Sequence, residues 1–125
     1  MKPLLAHATL SVVVGLCLLT GCKKHPTSAD LNKTNIDRLY NSYSVYMDEN
    51  GMKGPADEQE FRTFMKNSPE ASRRIERMGI SAEQFDAMFI SDRDGEPFQV
   101  KWGVKGYKNH AIVFESKGVD GMRLV

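Results

Sequence analysis

Apolar residues in this chain follow one period as far as Ile90 and another after Pro97, and that switch limits the fold more than any other feature. Ile36, Leu39, Tyr40, Tyr43 and Met47 recur at spacings of three and four, which places them on one helical face. Beyond Pro97, Phe98, Val100, Trp102 and Val104 alternate with Gln99, Lys101 and Gly103, the pattern of a half-buried strand. Helices in series followed by strands in series predict an α+β domain. The expected architecture is three to four short N-terminal helices packed on a small C-terminal antiparallel sheet of two to three strands.

Start and stop signals divide the helical half. The first helix runs from about Asp30 or Asn35 to Asp48, where Glu49-Asn50-Gly51 ends it and Met52-Lys53-Gly54-Pro55 forms a loop. A second spans Ala56 or Asp57 to about Lys66, with Asp57, Glu58 and Glu60 at the positive end of its dipole. Ser68-Pro69-Glu70 is an N-cap followed by a first-turn proline and an acid, and Gly79 is the matching stop. Ser81 and Gln84 have capping-box spacing and open a fourth helix. Ala111 to Glu115 is the second strand, and Met122 to Val125 is a candidate third. The expected core is Leu39, Tyr43, Phe61, Phe64, Ile75, Phe85, Phe89, Trp102, Ile112 and Phe114.

The first two dozen residues belong to neither half. Lys2 gives a positive start, Leu4 to Leu19 is almost wholly apolar, and Leu19-Thr20-Gly21-Cys22 closes the run with small residues and a cysteine. That is the layout of a secretory signal. An uncleaved span is the alternative, since Pro3 to Gly21 is near the ~20 residues that cross a bilayer. His7, Thr9, Ser11 and Thr20 make it a poor span, and the Gly-Cys ending would have no purpose. Leu19-Thr20-Gly21-Cys22 matches a lipobox at all four positions, so the segment resembles a bacterial lipoprotein signal peptide. The resemblance implies cleavage between Gly21 and Cys22, a diacylglyceryl group on the Cys22 sulfur and usually a third acyl chain on its amino group. Each buried methylene adds roughly 0.8 kcal/mol, so two or three chains hold a protein stably without a transmembrane helix. Lys23 and Lys24 after the cysteine imply the outer rather than the inner membrane, and near anionic headgroups each adds about 1 kcal/mol.

This reading divides the chain into a signal peptide (1–21), a lipidated polar tether (22–33) and a single globular domain (34–125). The chain has two cysteines, Cys17 and Cys22. The first leaves with the signal and the second carries lipid, so neither thiol catalysis nor a disulfide is available to the mature protein. The 104 residues from Cys22 onward suffice for one core. They carry 16 basic and 16 acidic side chains, a balance that argues against a nucleic-acid partner.

Ser91-Asp92-Arg93-Asp94-Gly95-Glu96 is the most site-like cluster, because Asp92, Asp94 and Glu96 are hard oxygen ligands of the kind calcium needs. The full calcium-loop pattern fails. Setting Gly95 at the invariant glycine puts Ile90 first and Lys101 last, where an acid and a bidentate glutamate belong. The same test on Asp48-Glu49-Asn50-Gly51 places Tyr46 first and Asp57 last. A polar turn is the simpler account. His110 is the one histidine in the expected domain, too few for the usual zinc or iron sites. Tyr40, Tyr43 and Tyr46 suggest a stacking platform, although core packing with hydroxyls at the boundary explains them better. Arg73, Arg74 and Arg77 sit among Glu70 and Glu76 as a solvated mixed face.

Phe89 to Phe98, Val100 to Gly103, Ala111 to Glu115 and Gly118 to Val125 together resemble small secreted bacterial lipoproteins of unassigned function. These are turn-and-strand motifs and imply a fold family without a catalytic assignment. The expectation is a membrane-anchored envelope lipoprotein, non-catalytic and without a cofactor, that acts by binding an envelope protein. A small-ligand or cation-binding module is the alternative reading, and a hydrolase the third.

Overall fold

The computed structural model describes residues 30–106 and 111–125. Gly21, Cys22 and the rest of the leader, the tether up to residue 29, and His110 lie outside the described residues. A 3-10 turn at Asp30–Asn32 leads into α1 (Asn35–Glu49). Thr34 caps it as a reciprocal box: its Oγ1 accepts from the Asp37 N–H at 3.3 Å, and the Asp37 carboxylate accepts from the Thr34 N–H. Asp57 caps α2 (Glu58–Asn67), accepting from the Glu60 N–H at 2.8 Å. Ser68 closes α2 and opens α3 (Pro69–Arg77) at one residue. Its N–H donates to Phe64 O and its Oγ accepts from the Ala71 N–H, while Pro69 supplies the first turn without needing a donor. Gly79, at φ +72°, ends α3, and Ser81 with Gln84 forms the box that starts α4 (Ala82–Ala87).

The helices and strands meet around Phe61, which is fully buried. The rings of Tyr43, Tyr46, Phe85, Phe89 and Trp102 have centroids 6.0–6.2 Å from its own. Leu39, Met47, Met65, Ile75, Met88, Ile112 and Val113 complete this core. Burying each such side chain stabilises the fold by roughly 1.5–3 kcal/mol.

The sheet is a two-stranded antiparallel pair, β1 (Gln99–Val100) and β2 (Val113–Phe114), with Gln99 opposite Phe114 and Val100 opposite Val113. The domain is therefore α+β, four helices on a small C-terminal sheet. The strand expected over Phe98–Val104 is shorter because its second half pairs elsewhere. Gly103 N–H donates to Pro55 O, and Gly54 N–H donates to Val104 O, both at 2.7 Å. The loop between α1 and α2 thus takes the ladder positions a longer strand would have used. Met122–Val125 is no third strand; Met122 bridges Val119, and Leu124 O accepts from the Glu115 N–H.

Three expected core residues are only half-buried: Phe64, Trp102 and Phe114. Phe114 lies on the outer side of β2, where Lys101 Nζ sits 5.9 Å from its ring centroid. Val113 takes the inward position. Tyr40, expected on the buried face of α1, is 44% exposed, and Tyr46 takes the interior place.

Candidate functional site

Residues 89–98 fold back as a hairpin, with Phe98 N–H donating to Phe89 O and Ser91 N–H to Glu96 O, both at 2.9 Å. Gly95, at φ +72°, turns the chain, and its N–H returns to Ser91 O at 3.0 Å. This turn holds the acids named in the sequence, and the carboxylates of Asp92 and Asp94 go to different partners. Asp92 reaches across to the first helical N–H of α1, at Asn35, where a negative charge meets the positive end of the helix dipole. Asp94 accepts from the Glu96 N–H at 3.1 Å and from the Gly118 N–H at 2.8 Å. These bonds, the Glu96 one foremost, hold its carboxyl below the usual aspartate range. Glu96 is exposed, and its main-chain carbonyl serves the hairpin. Asp92 and Asp94 therefore act as separate braces, and Glu96 takes part through its main chain. Among the described residues no group of three or more His, Cys, Asp or Glu is placed to hold a metal ion.

The group that organises this region is Glu115, whose side chain is 1% exposed. Ser91 Oγ donates to its Oε1 at 3.1 Å, while Arg93 Nη1 and the Leu124 N–H donate to its Oε2 at 3.2 and 3.0 Å. Its own N–H donates to Leu124 O at 3.0 Å. One buried carboxylate thus ties the hairpin, β2 and the C-terminal segment together. Burying that charge is tolerable only because three donors meet it. The sequence reading missed Glu115 as a centre. The available signal was an acid sharing strand parity with Val113 at the end of an apolar run.

The tyrosines do not form a platform. Tyr43 is fully buried and donates to Lys101 O at 2.9 Å. Tyr46 donates to Glu60 Oε1 at 2.6 Å; burial first, then this carboxylate, pushes its hydroxyl up to about 12. The arginines of α3 behave as a mixed face. Arg73 and Arg77 pair with Glu70 at 2.8 and 3.3 Å, and Arg74 joins α3 to the end of α1 through Asp48 at 2.7 Å and Glu49 at 3.2 Å.

Two clefts remain. One of about 270 Å³ lies between α2, α3 and α4, over Met65, Ile75, Ile80 and Phe85, with Lys66 and Asp86 paired at 3.7 Å in its wall. The other, about 410 Å³, lies between α1 and β2. Ile36 and Tyr40 form its helical wall, Ala111, Ile112 and Val113 its strand wall, and Val125 one end. Its one acid, Asp37, is held by the Thr34 hydroxyl at 2.6 Å.

Comparison with models of known protein families, with curated proteins and with solved structures finds no match for this chain. No helix among the described residues is long and apolar enough to cross a membrane.

Proposed function

We propose that this protein is a lipid-anchored bacterial envelope lipoprotein that acts by binding another envelope protein. The lipobox Leu19-Thr20-Gly21-Cys22 supports the anchor, and Lys23-Lys24 supports the outer membrane. One structural observation carries the binding half of the reading: the cleft between α1 and β2 is rimmed by apolar side chains left in solvent. Tyr40 is 44% and Val125 81% exposed. Grouped exposed apolar side chains mark interaction surfaces more often than scattered ones do. A surface anchor raises the effective concentration of such a module near its neighbours.

The test is expression of the full chain in a bacterial host with labelled palmitate, followed by membrane fractionation and in-cell cross-linking. Label on the wild-type protein and none on Cys22→Ala supports the anchor. A cross-linked envelope partner that is lost from Cys22→Ala supports the anchored interaction. An unlabelled, soluble wild-type protein overturns the reading.

A further inference from the structure

We infer that Lys53, Lys101 and Lys105 form an electrostatic docking face for anionic phospholipid headgroups, a second membrane contact that lays α1 along the bilayer to which Cys22 is anchored. This deepens the proposed function and rests on its anchored half. The geometry starts from the loop between α1 and α2. Gly54 N–H donates to Val104 O at 2.7 Å and Gly106 N–H to Met52 O at 2.8 Å, which sets Lys53 and Lys105 directly opposite each other in an antiparallel bridge. Neither bond joins the two lysines, so theirs is the non-hydrogen-bonded kind of pair, whose Cα atoms lie only about 4.5 Å apart. Like charges opposed in this way destabilise a ladder. Lys101 shares their side. Exposed and half-buried residues alternate over 101–106, with Lys101, Gly103 and Lys105 outward and Trp102 and Val104 inward. Met52, 37% exposed, adds an apolar side chain next to Lys53.

Charge pairing sets this strip apart. On α2 and α3 every cation meets a carboxylate: Arg62 at 2.7 Å, Lys66 at 3.7 Å, Arg73 at 2.8 Å, Arg74 at 2.7 Å and Arg77 at 3.3 Å. Lys53, Lys101 and Lys105 have no ion pair among the described residues. The acids nearest Lys53 along the chain are committed, Asp48 and Glu49 to Arg74 and Asp57 to the Glu60 N–H. Lysines carry point charges on flexible stems without a planar fork, which suits a fluid array of phosphates better than one shaped ligand.

The tether brings the membrane within range. Eight residues, Cys22 to Ala29, separate the acylated cysteine from Asp30. Fully extended they span at most about 29 Å. α1, with 15 residues, is about 22 Å long, and Lys53 follows its far end. The lysine strip therefore lies within reach of the surface that holds the other end of the helix.

The experiment uses the full chain acylated with labelled palmitate, reconstituted into vesicles of phosphatidylcholine alone or with phosphatidylglycerol, each carrying a headgroup nitroxide. Trp102, the single tryptophan and the neighbour of Lys101, reports headgroup contact through quenching of its fluorescence. Quenching is expected with the anionic vesicles. It is lost with the neutral ones, and in about 1 M salt, where the Debye length falls to about 3 Å. Each lysine near an anionic surface is worth about fivefold, so Lys53→Gln, Lys101→Gln and Lys105→Gln together lower the docked-to-free ratio about a hundredfold. Lys66→Gln on α2 leaves it unchanged. Lys105→Gln alone melts no lower than the wild type, because it relieves the opposed pair, and this separates lost docking from lost structure.

Equal quenching in neutral and anionic vesicles overturns the inference, as does a triple variant that behaves like the wild type. A cross-link from Lys53 or Lys105 to an acidic segment of another envelope protein, with no dependence of quenching on anionic lipid, replaces the headgroups with a protein and overturns it too. Acyl label without quenching sinks this face and leaves the anchor standing. Absence of acyl label sinks both.

Discussion

Gly54 passes so close to Tyr43 that an added Cβ would lie 2.1 Å from the phenol oxygen. The tyrosine cannot withdraw, because it is buried, stacks on Trp102 at 5.9 Å and donates to Lys101 O. Gly54→Ala is expected to destabilise the protein by about 2–4 kcal/mol in urea unfolding, an overpacking cost within a fixed core. Arg93→Ala leaves the Glu115 carboxylate buried with its two neutral donors only. The expected loss is about 1–3 kcal/mol, held below the cost of a fully buried pair because Arg93 is a third exposed. Adding Glu115→Gln to that variant should recover part of the loss. A double variant no more stable than Arg93→Ala would show that the pair itself contributes little.

At the scale of elements, single side chains decide where helices begin. Ser68 serves two helices at once, so Ser68→Ala should cost about 1 kcal/mol and loosen the turn between α2 and α3 together. Asp92 is committed to the first N–H of α1, so Asp92→Ala should also lower stability by about 1 kcal/mol. Calcium discriminates this bracing role from a cation site. Thermal unfolding of the wild type with and without calcium should coincide, whereas a calcium-dependent rise in Tm would restore the cation reading of Asp92, Asp94 and Glu96 through linkage. The caps at Ser68 and Ser81 were legible in the sequence because a cap and its donors lie within three residues of one another, although the same signal at Thr34 and Asp57 went unread. The bond from Asp92 to Asn35 was not, since it joins positions 57 apart in the chain.

For the whole molecule, pH acts from both sides. The Tyr46 hydroxyl loses its proton in the unfolded chain near 10.0 but is held up to about 12 when folded. Its contribution is therefore present below pH 10 and disappears as the pH rises toward 12. Tyr46→Phe should flatten this alkaline loss of stability, as followed by circular dichroism. Asp94 titrates in the opposite sense. Its carboxyl is lowered in the folded state, so its contribution is present above the ordinary aspartate range and vanishes as the pH falls through the lower value. Asp94→Asn should narrow the stability difference between neutral and acid pH.

The local grammar of the chain determined its four helices, their caps, the switch to strands and most of the central cluster around Phe61, because period, capping and turn chemistry act over a few residues. Tertiary structure decided the rest. The loop at Gly54 and Pro55 takes the place of half of the expected first strand's pairing, since its backbone bonds to Gly103 and Val104. Packing on both sides of β2 buried Val113 and Glu115 and left Phe114 outside, a choice of face that alternation alone leaves open. The centre at Glu115 exists only because Ser91, Arg93 and Leu124, distant in sequence, deliver their donors to one buried carboxylate.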